Sequence, residues 1–327
     1  MPRFRAAPED FQVEELPLYA PDGDGSFLWL WTEKRGIDTA QAARLLAEAC
    51  DLPRKEVGWA GRKDRHAVTR QAFTLPADRE SRLASFSSDE LSILDARRTR
   101  GRLRAGQLSG NRFTLKIRDV DAPQAAAAAG HLEALDRRGL PNRFGSQRYG
   151  RDGRNVERGR RLLEGGRVRG DRRQAFFMIS ALQSRVFDEV LKRRPYDALW
   201  AGDLAVEHRS GDWRWIDDPA DYADAVDRFE ISPTGPIFGT KTRRPRGEAA
   251  ALEAAVMAEL DLPTVERLEP PRGLRLFGDR RALRVRPGDV TSSYDGAGVF
   301  TVGFDLPPGS YATVVLEELF PADLSEG

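Results

Sequence analysis

Strand-like alternation near both ends of the chain, interrupted by a long middle of different texture, is the feature that most restricts the fold. Phe11, Val13 and Leu16, then Phe27, Trp29 and Trp31, fall near a period of two, with the turn PDGDG between them. The period returns in AVTRQAFTL (67–75) and in NRFTLKIRDV, where Phe113, Leu115 and Ile117 alternate. After residue 275 it resumes in RALRVRP and GVFTVGFDL. A chain patterned this way must bring its two ends into one strand-rich layer and set the middle apart.

Helix signals fill the gaps. Asp38 is placed to cap a helix with Ala43, Leu46, Ala47 and Cys50 on one face. APQAAAAAGHLEALDRR reads as a second helix stopped by Gly139. LSILDARR and NRFTLKIRDV look like a strand pair. Beyond Gly150 the basic, Gly-rich RDGRNVERGRRLLEGGRVRGDRR leads into a long helix lined by Ile179, Leu182, Val186 and Val190. Short strands follow around 204–216, then a helix near 247–260, and PPGSYATVVLEELF closes as a helix. The expected class is α+β, with residues 1–150 and 276–327 forming one domain and 151–275 inserted into it.

Of 327 residues, 40% are hydrophobic and 31% charged, which suits packed cores under a charged surface. A single cysteine, Cys50, excludes an intrachain disulfide and a CxxC-type zinc site, and three scattered histidines offer no metal centre. The opening MPRFRAAPEDF lacks the apolar stretch of a signal peptide, and no apolar run approaches the roughly 20 residues that span a bilayer. A soluble, cytoplasmic protein is expected, away from membranes. Net charge is only +1, yet residues 91–175 hold 21 Lys and Arg against 9 Asp and Glu. Such asymmetry points to a polyanionic partner. Arg accounts for 46 of the 52 cations, a bias that genome-wide codon preference explains and that phosphate recognition also suits.

Several chemistries fail on the residues. GTKT (239–242) separates Gly239 from Lys241 and so breaks the P-loop spacing. No G-x-S-x-G elbow occurs, and no Gly-rich cofactor loop follows a strand, as a methyltransferase would require. What remains is GWAGRKDRHAVTRQAF (58–73), where Asp64 stands among Arg62, Lys63, Arg65 and His66. Taken alone, such a loop reads as a solvated salt-bridge cluster. A strand directly after it would fix it rigidly, and the cations would favour an ionised carboxylate suited to attack or proton removal beside phosphate. LSGNRF pairs Asn111, both donor and acceptor, with Phe113. GLPNRFGSQRYGRDGRN interleaves Arg143, Arg148, Arg151 and Arg154 with Phe144 and Tyr149, the mixture that grips unpaired nucleotides. Phe11, Phe113 and Asn111 each also have a plain reading as core or turn residues.

Together, APEDF (7–11), AGRKDRHAVTRQ (60–71), LSGNRF (108–113), GLPNRFGSQRYGRDGRN (139–155) and LPPGSYAT (306–313) resemble the TruD family of tRNA pseudouridine synthases, in order and across nearly the whole chain. The resemblance implies a pseudouridine-synthase-like mixed, mainly antiparallel sheet with flanking helices, plus an inserted α/β TRUD domain. It implies isomerisation of uridine 13 in the D arm of tRNA, without cofactor, by a monomer needing no obligate protein partner. Asp64 matches the family's catalytic aspartate. Phe11, Asn111 and Tyr311 match substrate-contacting positions, Phe113 closes the Asn-x-Phe motif, and Arg5 and Arg65 join the expected substrate set. Arg62, Lys63, Arg143, Arg148, Arg151 and Arg154 are the candidates for RNA backbone. Arg5 stands where relatives often carry Lys, and Tyr311 where many carry Phe. A non-enzymatic RNA-binding protein on the same scaffold is the rival from another class.

Overall fold

The computed structural model describes residues 1–165, 171–264, 269, 274, 276–321 and 324–326, apart from the side chains of 146, 147 and 151. In chain order the first elements are β1 (Arg3–Phe4), β2 (Phe11–Pro17), β3 (Phe27–Arg35), α1 (Thr39–Ala49), β4 (Gly58–Trp59), β5 (Val68–Pro76), β6 (Leu91–Thr99), β7 (Leu108–Arg118) and α2 (Ala122–Arg138). The middle of the chain forms β8 (Leu140–Pro141), α3 (Arg154–Leu163), α4 (Arg172–Leu191), β9 (Leu204–Glu207), β10 (Trp213–Trp215), α5 (Ala223–Asp227), β11 (Ile231–Ile237), α6 (Gly247–Glu259), β12 (Asp279–Ala282) and β13 (Arg284–Val285). The last are β14 (Gly288–Tyr294), β15 (Val299–Leu306), α7 (Ala312–Leu319) and β16 (Ser325–Glu326).

Contacts divide the chain into two compact units. Unit 1 is Met1–Leu132 with Pro287–Ala312 and Leu316–Gly327, and unit 2 is Glu133–Arg286 with Thr313–Val315. The divisions at 132/133 and 286/287 lie outside the expected boundaries near 150 and 275. The reason is local. β8 pairs with β13, and the Phe144 N–H donates to Asp188 of α4 at 3.0 Å, so the 139–155 segment belongs with the middle of the chain.

Unit 1 is built on a sheet of order β14-β15-β7-β2-β5-β3-β6, antiparallel except for the β2/β5 pair. Strands from both ends of the chain do meet in it. LSILDARR, expected to pair with NRFTLKIRDV, instead hydrogen-bonds to β3 and forms an edge, while β7 lies between β15 and β2. The apolar repeat of β7 continues into facing repeats on those strands, whereas β6 offers few apolar side chains to a second neighbour.

Register decides what shares a face. Phe11, Val13 and Glu15 lie opposite Leu115, Phe113 and Asn111. Val13 neighbours Thr69, and Thr69, Gln71 and Phe73 lie opposite Lys34, Thr32 and Leu30. α1, with Asp38 accepting from the Gln41 N–H at 2.8 Å as its cap, buries Ala42, Ala43, Leu46 and Ala47 against Leu28, Leu30, Phe73 and Leu75 on this face. The opposite face carries Trp29 and Trp31, stacked at 5.5 Å.

Unit 2 contains a four-stranded sheet of order β10-β9-β11-β12. α4 buries Ile179, Leu182, Val186 and Val190 in a cluster with Leu162, Phe238, Val256 and Met257, as its periodicity predicts. No helix among the described residues is long and apolar enough to cross a membrane.

Leu115, fully buried at the centre of β7, anchors the face that carries the site. Leu115→Ala is expected to destabilise the protein by about 2–5 kcal/mol in urea unfolding, with the denaturant slope unchanged.

Candidate active site

The loop between β4 and β5 crosses the sheet face defined above, and buried polar groups fix its path. The Lys63 ammonium turns inward to Glu15 Oε2 at 2.6 Å, with both side chains almost fully buried. The other Glu15 oxygen accepts from the Ala72 N–H at 3.3 Å. The Lys63 N–H donates to Thr39 Oγ1 at 2.8 Å, Thr39 Oγ1 donates to Gln71 Oε1 at 2.8 Å, and Gln71 Nε2 donates to the Gly61 carbonyl at 3.2 Å. Gly61 packs directly against the Lys63–Glu15 ion pair. A Cβ there would lie 2.8 Å from the Lys63 ammonium and 3.1 Å from Glu15 Oε2. Lys34, also fully buried, donates to the carbonyls of Ile37 at 2.7 Å and of Asp64 itself at 2.9 Å.

Burial lowers the pKa of both lysines. For Lys63 the charge and hydrogen bond of Glu15 oppose the shift without cancelling it. For Lys34 burial brings the value down to about 8, against the attraction of Asp38 and Asp64 and with help from the Lys63 charge.

With Lys63 held inward, the next side chain emerges on the other side of the loop. Asp64 is 45% exposed, and its Oδ2 accepts from Arg5 Nη2 at 3.0 Å. Arg5 is itself only 8% exposed. Its other terminal nitrogen donates to Glu326 at 2.7 Å, and the guanidinium lies 4.1 Å over the Phe11 ring. The backbone at Arg5 has φ 60°, left-handed for a non-glycine residue, a conformation costing on the order of 1–3 kcal/mol and common where a side chain must be aimed. Phe11 meets Phe113 edge-on at 6.4 Å, and Phe113 stacks on Phe304 at 5.4 Å. Asn111 shares that face, and its Oδ1 is buried with no hydrogen-bond partner among the described residues.

The contacts therefore join Asp64, Arg5, Phe11 and Phe113, with Asn111 on the same face. Tyr311, half-buried, flanks the start of α7 in the same unit. Arg62 is exposed, and Arg65 donates to the Gly36 carbonyl at 3.0 Å. Lys63 corrects the expectation: its ammonium is occupied by Glu15 and out of reach of an RNA backbone. Arg143, Arg148 and Arg154 lie in unit 2, and the side chain of Arg151 is outside the described residues. Phe144 and Tyr149, read as base-stacking faces, are half-buried there and already engaged. Phe144 packs on Phe187 at 5.7 Å under the Arg281 guanidinium, and the Tyr149 hydroxyl donates to Asp188. Burial raises the Asp188 pKa, with the Tyr149 and Phe144 hydrogen bonds acting against it.

Glu15, Lys34, Thr39 and Gln71 went unnoticed in the sequence. The signal was there for one of them: Glu15 is a charge on the register of Phe11 and Val13, whereas Lys34 lies beyond the strand as read and out of step with Phe27, Trp29 and Trp31. Among the described residues no group of three or more His, Cys, Asp or Glu could hold a metal ion. Chemically, the site offers one carboxylate in water, oriented by a buried cation and bordered by aromatic rings.

A family model described as tRNA pseudouridine synthase D (TruD) matches residues 2–169 and 171–319. Curated proteins called tRNA pseudouridine synthase D are similar over almost their full length. One from Anaeromyxobacter sp. is 40% identical, covering 98% of this chain and 92% of its own. One from Geobacter metallireducens is 36% identical (95% and 93%), and one from Thermus thermophilus 38% (98% and 89%). The crystal structure of a Methanosarcina mazei protein, described as a candidate tRNA pseudouridine synthase D, superposes with a TM-score of 0.75 at 20% identity, covering 98% of this chain and 93% of that one. That likeness is one of fold.

Lys63→Met leaves the Glu15 charge buried and unpaired, and is expected to destabilise by about 3–5 kcal/mol. Glu15→Leu combined with Lys63→Met should recover most of the loss, read as a non-additive double-mutant cycle in urea unfolding. Lys34 releases its proton near pH 8 when folded and near 10.4 when unfolded, so the unfolded chain binds more protons between those values. The stability of wild type relative to Lys34→Met is therefore expected to rise as pH goes from about 8 to 10.4, measured by urea midpoints across that range.

Proposed function

The chain belongs to the TruD family of tRNA pseudouridine synthases, and from that premise we propose that it is a cytoplasmic, monomeric isomerase converting uridine 13 in the D arm of tRNA to pseudouridine, with Asp64 as its one catalytic carboxylate and no cofactor. The observation that carries this reading is the Arg5–Asp64 ion pair: an exposed carboxylate aimed by a buried guanidinium stacked on Phe11.

The reaction needs little more than such a carboxylate. The bond between uracil N1 and ribose C1′ breaks, the uracil turns while still held, and C5 bonds to C1′. The C5 proton leaves to water and N1 acquires one, so atoms and charge balance. Asp64 serves either as nucleophile, forming an adduct with sugar or base, or as the base that takes the 2′ proton to give a glycal. A primary isotope effect with 2′-deuterated uridine separates these. Arg5 holds the carboxylate in a fixed direction, and the shape of the pair depends on a guanidinium fork that Lys would not reproduce. The buried Asn111 Oδ1 suits the N3–H donor of uracil, and the edges of Phe11 and Phe113 suit a flat ring. Tyr311 completes the substrate set with Arg65. Extracting a stem nucleotide costs a few kcal/mol, which ring contacts and exposed cations such as Arg62 offset.

The test uses tRNA tritiated at C5 of uridine, since isomerisation releases that label. Wild type is expected to release it, and Asp64→Asn to lose at least about 10²- to 10⁴-fold in rate while still binding tRNA. Turnover by Asp64→Asn would remove Asp64 from its role. No release by wild type would return the chain to the RNA-binding rival.

A further inference from the structure

Many arginines of the basic stretch, among the described residues, are already held by carboxylates of the same chain. Arg98 holds Glu80, Arg112 holds Asp305, Arg118 holds the buried Asp10, and Arg160 and Arg161 share Glu157. Arg172 and Arg173, by contrast, are exposed and have no carboxylate partner among the described residues. They open α4, and one turn later Phe176 and Phe177 are 42% and 43% exposed, among the few large apolar side chains left in water.

Helical spacing makes these four residues one surface. Arg172 and Phe176, and Arg173 and Phe177, are i,i+4 neighbours, so two Arg–Phe pairs run side by side. They lie away from the buried stripe of Ala175, Ile179, Leu182 and Val186. Along the same face Ser180 and Ser184 accept from Arg148, whose guanidinium lies 5.4 Å over the Phe177 ring. Cations thus flank an aromatic pair on both sides, along about 12 Å of helix at 1.5 Å per residue.

We infer that this strip of α4, Arg172–Phe177 with Arg148, is a binding surface for unpaired nucleotides of the tRNA, its arginines taking phosphates and Phe176 and Phe177 stacking on bases. The chemistry excludes a simple apolar partner, which would strip water from three guanidiniums without compensation. RNA satisfies both halves of the surface. Phe144 and Tyr149, the aromatics that the sequence offered for this task, are consumed in packing, whereas these two are not.

The inference rests on tRNA being the substrate, and the experiment keeps the two apart. Dissociation constants for tRNA are measured against salt concentration for wild type, Phe176→Ala/Phe177→Ala, Arg172→Gln/Arg173→Gln, and Trp215→Ala, a control on an equally exposed unit 2 aromatic that lies 5.2 Å from an arginine. The phenylalanine pair is expected to weaken binding roughly tenfold or more with an unchanged salt slope. The arginine pair should weaken it and flatten the slope of log affinity against log salt by about 1.4. Trp215→Ala should remain within twofold of wild type. Circular dichroism and thermal unfolding verify that each variant is folded. A folded phenylalanine variant that binds tRNA like wild type overturns the inference, as does an arginine variant with the wild-type slope. Tritium release by wild type is scored separately, so a failed activity leaves the binding result readable.

Discussion

The candidate site depends on one buried ion pair, Glu15 with Lys63. Two charges taken out of water are tolerable only when each completes the other, and here the geometry is tight, at 2.6 Å with almost no exposure on either side. That requirement fixes where the loop must run. It draws Lys63 onto the sheet, close enough to Gly61 that a side chain there would push against the pair. It also turns Asp64 outward, to where Arg5 can meet it. Thr39, Gln71 and Lys34 then tie the loop backbone to α1 and the sheet, so the carboxylate sits on a rigid frame even though it is itself in water. Rigid support behind an exposed reactive group is what a site needs when reacting atoms must be held within a fraction of an ångström.

The same logic separates the two uses of positive charge. Arg5 is buried and aims one carboxylate. Arginines such as Arg112 and Arg118, on the outward register of β7, are bound to acids and leave that face close to neutral. A local excess of basic residues in sequence is therefore a poor guide to where a polyanion is received. The count includes cations whose charge is spent within the fold, and the useful quantity is what remains exposed and unpaired.

Much of the fold was legible because it follows from side-chain period. Phe113, Leu115 and Ile117 alternate into the core as written, Asp38 caps its helix, and GVFTVGFDL returns to the first sheet, whereas RALRVRP, expected to return with it, pairs with β11 and β8 in unit 2. The partner of LSILDARR was not legible, since an edge strand with few apolar side chains carries no register of its own. In the site, Phe11, Asn111, Phe113 and Asp64 were named from motif resemblance. Arg5 was named as well, although its contact with Asp64 spans 59 residues, and only the fold brings them together. Lys63 was misread because a lysine between Arg62 and Asp64 looks solvated, and nothing local announces that Glu15 waits beneath it. Phe144 and Tyr149 show a related ambiguity, since Phe144 packs on Phe187 and the Tyr149 hydroxyl donates to Asp188. Interleaved arginines and aromatics serve equally to grip a nucleic acid or to pack a helix against a loop.

The most direct test of the central claim is a structure of the chain bound to tRNA. The account predicts uridine 13 drawn out of its stack, with ribose C1′ or C2′ within about 3.5 Å of the Asp64 carboxylate and the uracil beside Phe11, Phe113 and Asn111. A complex in which uridine 13 stays stacked in the D arm, with Asp64 facing only solvent or phosphate, would contradict it.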